Sequence, residues 1–410
     1  MTLCACGQKT GNETFTGDGR EEAAYQDCLN AIVPSAYSNV QDLKLEPGTY
    51  ISIIGKEEGD SYWKKIQEGA AQAETDLNAA LGYTGSDKVK VIYNAPPKSE
   101  DINEQVNILD EELARYPDAI GIASIDEDSF GVPFDLAEFN GIPIIAFDSG
   151  NIYQGIQCTV KTNNTDAART GAYKLADEIG GEGEVILLVH DSVSQSARER
   201  AQGFLEEIAS KQPGIQVVET IYLDKLTEYK RAVVEEQESA RLAAAGVQPA
   251  PEDTAVEGQS PSAEGGLHLG IFSDSETIPL TDEEKVAAAN AMTDEELFAY
   301  YLEKYPNLKA MFGTNSMTVQ TALKALREAE RSESVLLMGF DAGAEQLDAM
   351  ESGEIDGLVV QNPFGIGYAA VVAAARTILE VGNEAEVDTG YTWVTRDNMD
   401  DASIKKMLYR

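Results

Sequence analysis

Histidine is nearly missing from this chain. His190 and His268 are the two in 410 residues, and neither has a His or Cys neighbour at metal-ligand spacing. A histidine metal centre and a Ser-His-Asp triad therefore find no support. His190 closes the apolar run EVILLVH and reads as a strand-end residue, and His268 lies in a polar insert. Positive charge is scarce as well: 31 Lys and Arg stand against 71 Asp and Glu, for a net charge of −40. Phosphate contacts need clustered basic residues, so a nucleic-acid binder is disfavoured. Docking on anionic lipid through a basic patch is disfavoured on the same ground. No run of 18 apolar residues occurs, so no transmembrane helix is expected. P-loop, G-x-S-x-G and H-E-x-x-H patterns are missing too, and no metal or catalytic residue is assigned.

What is present is ordinary globular material, 43% hydrophobic and 25% charged, long enough for two or three domains. From residue 49 apolar runs alternate with segments of helical periodicity. The runs are Tyr50–Ile54, Val89–Tyr93, Ala119–Ala123, Ile142–Phe147, Glu184–Val189, Ile215–Leu223, Leu308–Phe312, Val335–Phe340 and Ile355–Val360. Helices are expected over Ser61–Leu81, Glu100–Tyr116, Asp166–Ile179, Gln195–Lys211, Val319–Arg331 and Gly365–Val381. Continuous apolar strands imply parallel sheets covered on both faces, and the alternation implies right-handed βαβ units. Nine strands crowd a single open sheet, so two α/β lobes are expected. Two regions break the rhythm. Residues 1–48 hold a short helical stretch near Ala23–Ala31. Residues 225–294 read as an acidic, partly disordered insertion with a Pro-, Gly-, Ser- and Glu-rich centre. Its flanks, Thr227–Ala245 and Thr281–Leu302, look helical.

Four cysteines remain: Cys4, Cys6, Cys28 and Cys158. Leu3-Cys4-Ala5-Cys6 resembles a bacterial lipobox, which implies lipidation at Cys6 and a polar tether over residues 7–22. The charged and apolar regions of an export signal do not precede Leu3, so an N-terminal stretch with two incidental cysteines is the competing reading. In an oxidising compartment Cys28 and Cys158 could form a disulfide.

Seven ordered blocks then carry a family resemblance: GDSYWKKIQEGAAQA, ASIDEDS, GIPIIAFDSGN, SQSARERAQGF, FGTNSMTVQTALKAL, VLLMGFDAG and IDGLVVQNPFGIGYAA. Together they resemble the type I periplasmic solute-binding proteins, in the ribose-binding branch that serves ABC sugar transporters. The resemblance covers about residues 49–224 and 295–400. It implies two doubly wound, three-layer α/β/α parallel-sheet lobes joined by a hinge: 49–161 with 362–389, and 162–361 with 390–410. It implies a monomeric, extracytoplasmic binding protein without a cofactor, held on the outer face of the cytoplasmic membrane or free in the periplasm. Its partners would be a small neutral polyhydroxy ligand and a membrane permease. Carried over residue by residue, the ligand contacts would be Asp60, Tyr62, Trp63, Asp148, Arg198, Asn315, Asp341 and Gln361, with Arg200 turned outward. Asp126 is a weaker candidate that fits a turn equally well. The family's arginine after Asp148 is replaced by Ser149, which puts ribose in doubt. Each carboxylate or amide also fits a helix cap or turn, and the two aromatics also fit a core.

The rivals are weaker. Gly365-Ile366-Gly367-Tyr368-Ala369-Ala370 fits a dinucleotide fingerprint, but no complete βαβ unit follows it. A sugar-responsive repressor needs a basic helix-turn-helix, and residues 1–48 offer only Lys9, Arg20 and Lys44. A receptor of the same fold for a nucleoside or signalling furanose, or a chemotaxis sensor, stays open. Three carboxylates against one guanidinium disfavour an anionic ligand.

Overall fold

The computed structural model describes residues 23, 25–246 and 278–409. Cys4, Cys6, His268 and the Pro-rich centre of the insertion lie outside these residues. The strands are β1 (Tyr50–Ile54), β2 (Lys90–Asn94), β3 (Ala119–Ile122), β4 (Ile144–Phe147), β5 (Ile156–Lys161) and β6 (Glu182–Val189). They continue as β7 (Gly214–Tyr222), β8 (Leu308–Gly313), β9 (Leu336–Phe340), β10 (Gly357–Gln361), β11 (Glu386–Asp388) and β12 (Tyr391–Val394). Between them run α1 (Gln26–Asn30), α2 (Ser61–Leu81), α3 (Ile102–Leu113), α4 (Gly131–Phe139), α5 (Asn164–Glu178) and α6 (Gln195–Lys211). The later helices are α7 (Leu226–Ala244), α8 (Asp282–Ala291), α9 (Asp294–Lys304), α10 (Ser316–Glu328), α11 (Ala344–Ser352), α12 (Pro363–Ile378) and α13 (Ala402–Lys405).

These strands form two six-stranded sheets, ordered β11-β5-β4-β3-β1-β2 and β12-β10-β9-β8-β6-β7. All pairs are parallel except β12 on β10. Position for position the orders match, so β4 in one lobe is the counterpart of β9 in the other, and β5 of β10. The chain passes between the sheets after Lys161, Gln361 and Asp388. Strands β3, β4 and β10 are buried along their whole length, as strands covered on both faces must be.

Strands β5, β11 and β12 were not expected from the apolar runs. The first mixes polar and buried residues, IQCTVK, and the others are only three and four residues long. Nor is the segment 225–294 an insertion at its ends. Helices α7 and α9 bury Val233, Val234, Leu297, Phe298 and Tyr301 and serve as the β7–β8 crossover. The helix expected over 281–302 divides in two. A second capping box, Thr293 with Glu296, restarts it after Met292.

Helices α2 and α12 cross with backbones nearly touching. A Cβ on Gly367 would lie 1.9 Å from the Ile66 carbonyl, and one on Gly69 would lie 2.0 Å from that of Phe364. The disulfide that Cys28 and Cys158 could have made is not formed. Both thiols are free and buried; Cys28 Sγ donates to the Lys406 carbonyl at 3.5 Å. Burial raises both, to about 11 for Cys28 and about 12 for Cys158. No helix among the described residues is long and apolar enough to cross a membrane.

Candidate functional site

The carboxyl ends of both sheets face one another across the lobe boundary. There the chain leaves each strand into a loop or helix start, so side chains at these positions converge on one space. Asp148 follows β4 and Asp341 follows β9, counterpart strands of the two lobes. Both aspartates adopt left-handed backbone, φ +60° and +76°, and each donates its N–H to the adjacent strand, at Val160 O (2.8 Å) and Val359 O (2.9 Å). Left-handed φ is uncommon for a residue with a Cβ, and Asp tolerates it better than most. Both side chains are buried, at 8% and 5% exposure.

On the first wall the Tyr62 hydroxyl donates a short hydrogen bond to Asp148 Oδ1. Trp63 packs edge-on to Tyr62 with ring centroids 5.4 Å apart. Burial, then the charges of Asp148 and Asp341, push the Tyr62 phenol well above its ordinary value, so it remains a donor. Asp60 is the N-cap of α2 and accepts from the Tyr62 and Trp63 amides at 2.8 and 3.4 Å.

On the second wall Gln361 Nε2 donates to Asp341 Oδ1 at 2.8 Å, and the Ser316 amide donates to Oδ2 at 2.9 Å. Gln361 Oε1 accepts from Arg200 Nη2 at 2.7 Å and from Thr162 Oγ1 at 3.0 Å. Burial is the largest influence on Asp341 and raises it; Arg200, Gln361 and the Ser316 amide act in the opposite direction. Asn315 caps α10, accepting from the Thr318 amide at 2.9 Å, and stands beside this wall.

Two expectations are corrected here. Arg200, read as outward-facing, is 3% exposed. Its guanidinium donates to Asn164 Oδ1 (2.8 Å), Thr314 O (2.8 Å) and Gln361 Oε1, and lies 4.4 Å over the Phe340 ring. Arg198 stands outside that cluster with 46% of its side chain exposed. It pairs with Glu127 of the other lobe and donates to the Val193 carbonyl at 2.9 Å. The signal for Arg200 was in the sequence. Ala197, Arg200, Ala201, Phe204 and Ile208 are buried at helical spacing on one face of α6. Asp126 serves a turn, accepting from the Asp128 amide at 3.2 Å and from Ser129 Oγ.

His190 sits nearby, 6% exposed, with Nδ1 2.8 Å from Thr314 Oγ1. Burial lowers its pKa to about 3, against the opposing pull of Asp191, so the ring is neutral at ordinary pH. At the hinge Lys161 Nζ bonds Glu199 Oε1 of α6 at 2.6 Å, and Asn164 Nδ2 bonds Glu199 Oε2 at 3.0 Å. Tyr409, which no sequence pattern flagged, packs edge-on to Tyr62 with ring centroids 5.6 Å apart. Among the described residues no group of His, Cys, Asp or Glu stands where it could hold a metal ion.

This arrangement offers two acceptor carboxylates, a donor amide and guanidinium, and aromatic faces. Such a set matches hydroxyls and the C–H faces of a small polyhydroxy compound. The pattern of the periplasmic binding protein domain matches residues 51–254 and 274–382. The xylitol-binding protein of Mycolicibacterium smegmatis is 20% identical over 323 residues, 78% of this chain and 72% of its own. A carbohydrate transporter solute-binding protein from Agrobacterium radiobacter, solved with D-arabinose, is 25% identical with a TM-score of 0.62. The alignment covers 88% of this chain and 98% of that one. A solute-binding protein of an ABC transporter from Agrobacterium vitis, solved with α-D-tagatopyranose, is 22% identical with a TM-score of 0.64, over 88% and 99% of the two chains.

Proposed function

The chain belongs to the periplasmic binding protein domain family, and on that premise we propose that it is the extracytoplasmic substrate-binding component of an ABC importer. Its ligand is a monosaccharide or a related neutral polyol, taken between the lobes without covalent chemistry. The observation that carries this is the pair of buried carboxylates, Asp148 and Asp341, at counterpart strand ends of the two lobes. A ligand hydroxyl donating to each would join the lobes, so binding favours the closed arrangement. The relatives named for xylitol and those solved with sugars support the same ligand class.

Asp148 and Asp341 accept hydroxyl protons, and Gln361, oriented by Arg200, sets the donor side. Tyr62 and Trp63 pack on the ligand's C–H faces. Asp60 and Asn315 act from two helix starts. Two buried carboxylates repel phosphorylated or carboxylated compounds. The protein works as a monomer and hands its ligand to a membrane permease. Lipid on Cys6 holds it at the outer face of the cytoplasmic membrane; mass spectrometry of protein from native membranes should find that residue acylated, and an unmodified Cys6 peptide refutes the anchor.

Titration calorimetry with xylitol, D-arabinose, D-tagatose and D-fucose tests the main reading. Binding of at least one is expected. Failure of every sugar and polyol, with binding of a nucleoside or an amino acid, overturns it.

A further inference from the structure

The segment after β12 does not stay on its own lobe. It turns at Thr395, whose amide donates to Asn398 Oδ1 at 2.8 Å, and buries Met399. It then reaches α1, where Lys406 Nζ pairs with Asp27 at 2.8 Å and the Lys406 carbonyl accepts from Cys28 Sγ. Helix α1 is itself held to the hinge: Asn362 Nδ2 donates to the Cys28 carbonyl at 2.7 Å. From that fixed point the chain delivers Tyr409 between the two walls of the candidate site.

Tyr409 is 4% exposed. Its ring meets Tyr62 of the first wall at an interplanar angle of 69°, and its hydroxyl accepts the Ala342 amide of the second wall at 3.0 Å. That amide directly follows Asp341, so the phenol stands next to the buried carboxylate along the chain. One side chain thus contacts both lobes beside both buried aspartates. A large aromatic group there adds bulk beside both aspartates, with its hydroxyl held by the amide that follows Asp341.

Resting on the functional reading above, we propose that Tyr409 is a specificity-determining residue of the interlobe site. Held there by the 395–409 strap, it closes one side of the site and restricts it to a single small polyhydroxy ligand. Truncating the ring opens that side, weakens the small ligand and relaxes the size limit. Removing only the hydroxyl frees the Ala342 amide but keeps the wall.

Calorimetry on wild type, Tyr409→Phe and Tyr409→Ala tests this, with xylitol and D-arabinose as small probes and maltose as the two-ring probe. Tyr409→Ala should bind the preferred small probe about tenfold or more weaker. Its preference for that probe over maltose should also fall at least tenfold, while Tyr409→Phe keeps the preference. Wild-type affinity and preference in Tyr409→Ala would overturn the proposal. Hydrogen exchange at the Ala342 amide, measured on ligand-free protein, supplies an arm that needs no ligand. Faster exchange in both variants supports the placement, and unchanged exchange refutes it. If wild type binds no sugar or polyol of either panel and binds a nucleoside or an amino acid, the functional reading fails by itself, and the exchange result still decides whether Tyr409 stands where the proposal puts it.

Discussion

Arg198 and Arg200 are two residues apart on α6 and should respond oppositely to truncation. Arg200→Ala removes a guanidinium that is 3% exposed and donates to three acceptors. Gln361 Oε1 keeps Thr162 as a donor, but Asn164 Oδ1 and the Thr314 carbonyl lose the Arg200 hydrogen bond. Each buried acceptor left unpaired costs about 1–3 kcal/mol. Asp341 also loses the Arg200 charge that pulls against the effect of burial on it. Two unpaired acceptors at that cost make a loss of about 2–6 kcal/mol of stability the expected outcome. Arg198 is 46% exposed but its partner Glu127 only 8%, so water can replace the guanidinium and the half-buried pair should contribute about 1 kcal/mol, the upper end for exposed pairs. Urea denaturation of both variants, with fluorescence and circular dichroism as coincident probes, measures the difference. Arg200→Ala should also weaken ligand binding, since Gln361 and Asp341 lose their orientation. An Arg198→Ala loss equal to or larger than that of Arg200→Ala would refute the reasoning and return α6 to the orientation with Arg200 outward.

Asp341→Asn keeps a residue that tolerates φ +76° and removes the negative charge, so affinity for a neutral polyol should fall tenfold to a hundredfold, about 1.4–2.7 kcal/mol by calorimetry. His190 is held neutral among Thr314, Asp191, Arg200 and Lys56, with a pKa lowered from 6.5 to about 3. The unfolded chain takes up a proton as pH falls through 6.5 and the native state does not, so stability is full above that pH and is lost toward pH 3. This one group should remove about 2 kcal/mol between pH 7 and 5, and His190→Gln should abolish that share of the urea-midpoint shift; an identical shift in the variant would exclude it. Gly367→Ala drives a methyl against the Ile66 carbonyl and should lower stability by about 1–3 kcal/mol in the same denaturation assay, with an unchanged midpoint counting against the close helix crossing.

The sequence by itself determined the class of fold. Runs such as AIGIA and IPIIAF are apolar on both faces, and only a strand covered on both sides can use them; that pattern is local and needs no partner to be read. It also carried the face of α6, because Ala197, Ala201, Phe204 and Ile208 recur at helical spacing and take Arg200 inward with them. Family resemblance favoured Arg198, whereas the periodicity of the neighbouring apolar residues pointed to Arg200. Other features were decided only by tertiary structure. Strand β11 is three residues long and exists because β5 offers it an edge; no periodicity can be read in so few residues. Asp148 and Asp341 look like ordinary turn residues until the equivalent strand orders bring them to matching ends of two sheets. Tyr409 had no local signal, since its environment is built from Tyr62, Asp341 and Ala342, residues hundreds or tens of positions away. Periodicity records which side of an element is buried, but which side chains share a buried space depends on chain crossings that only the folded structure fixes.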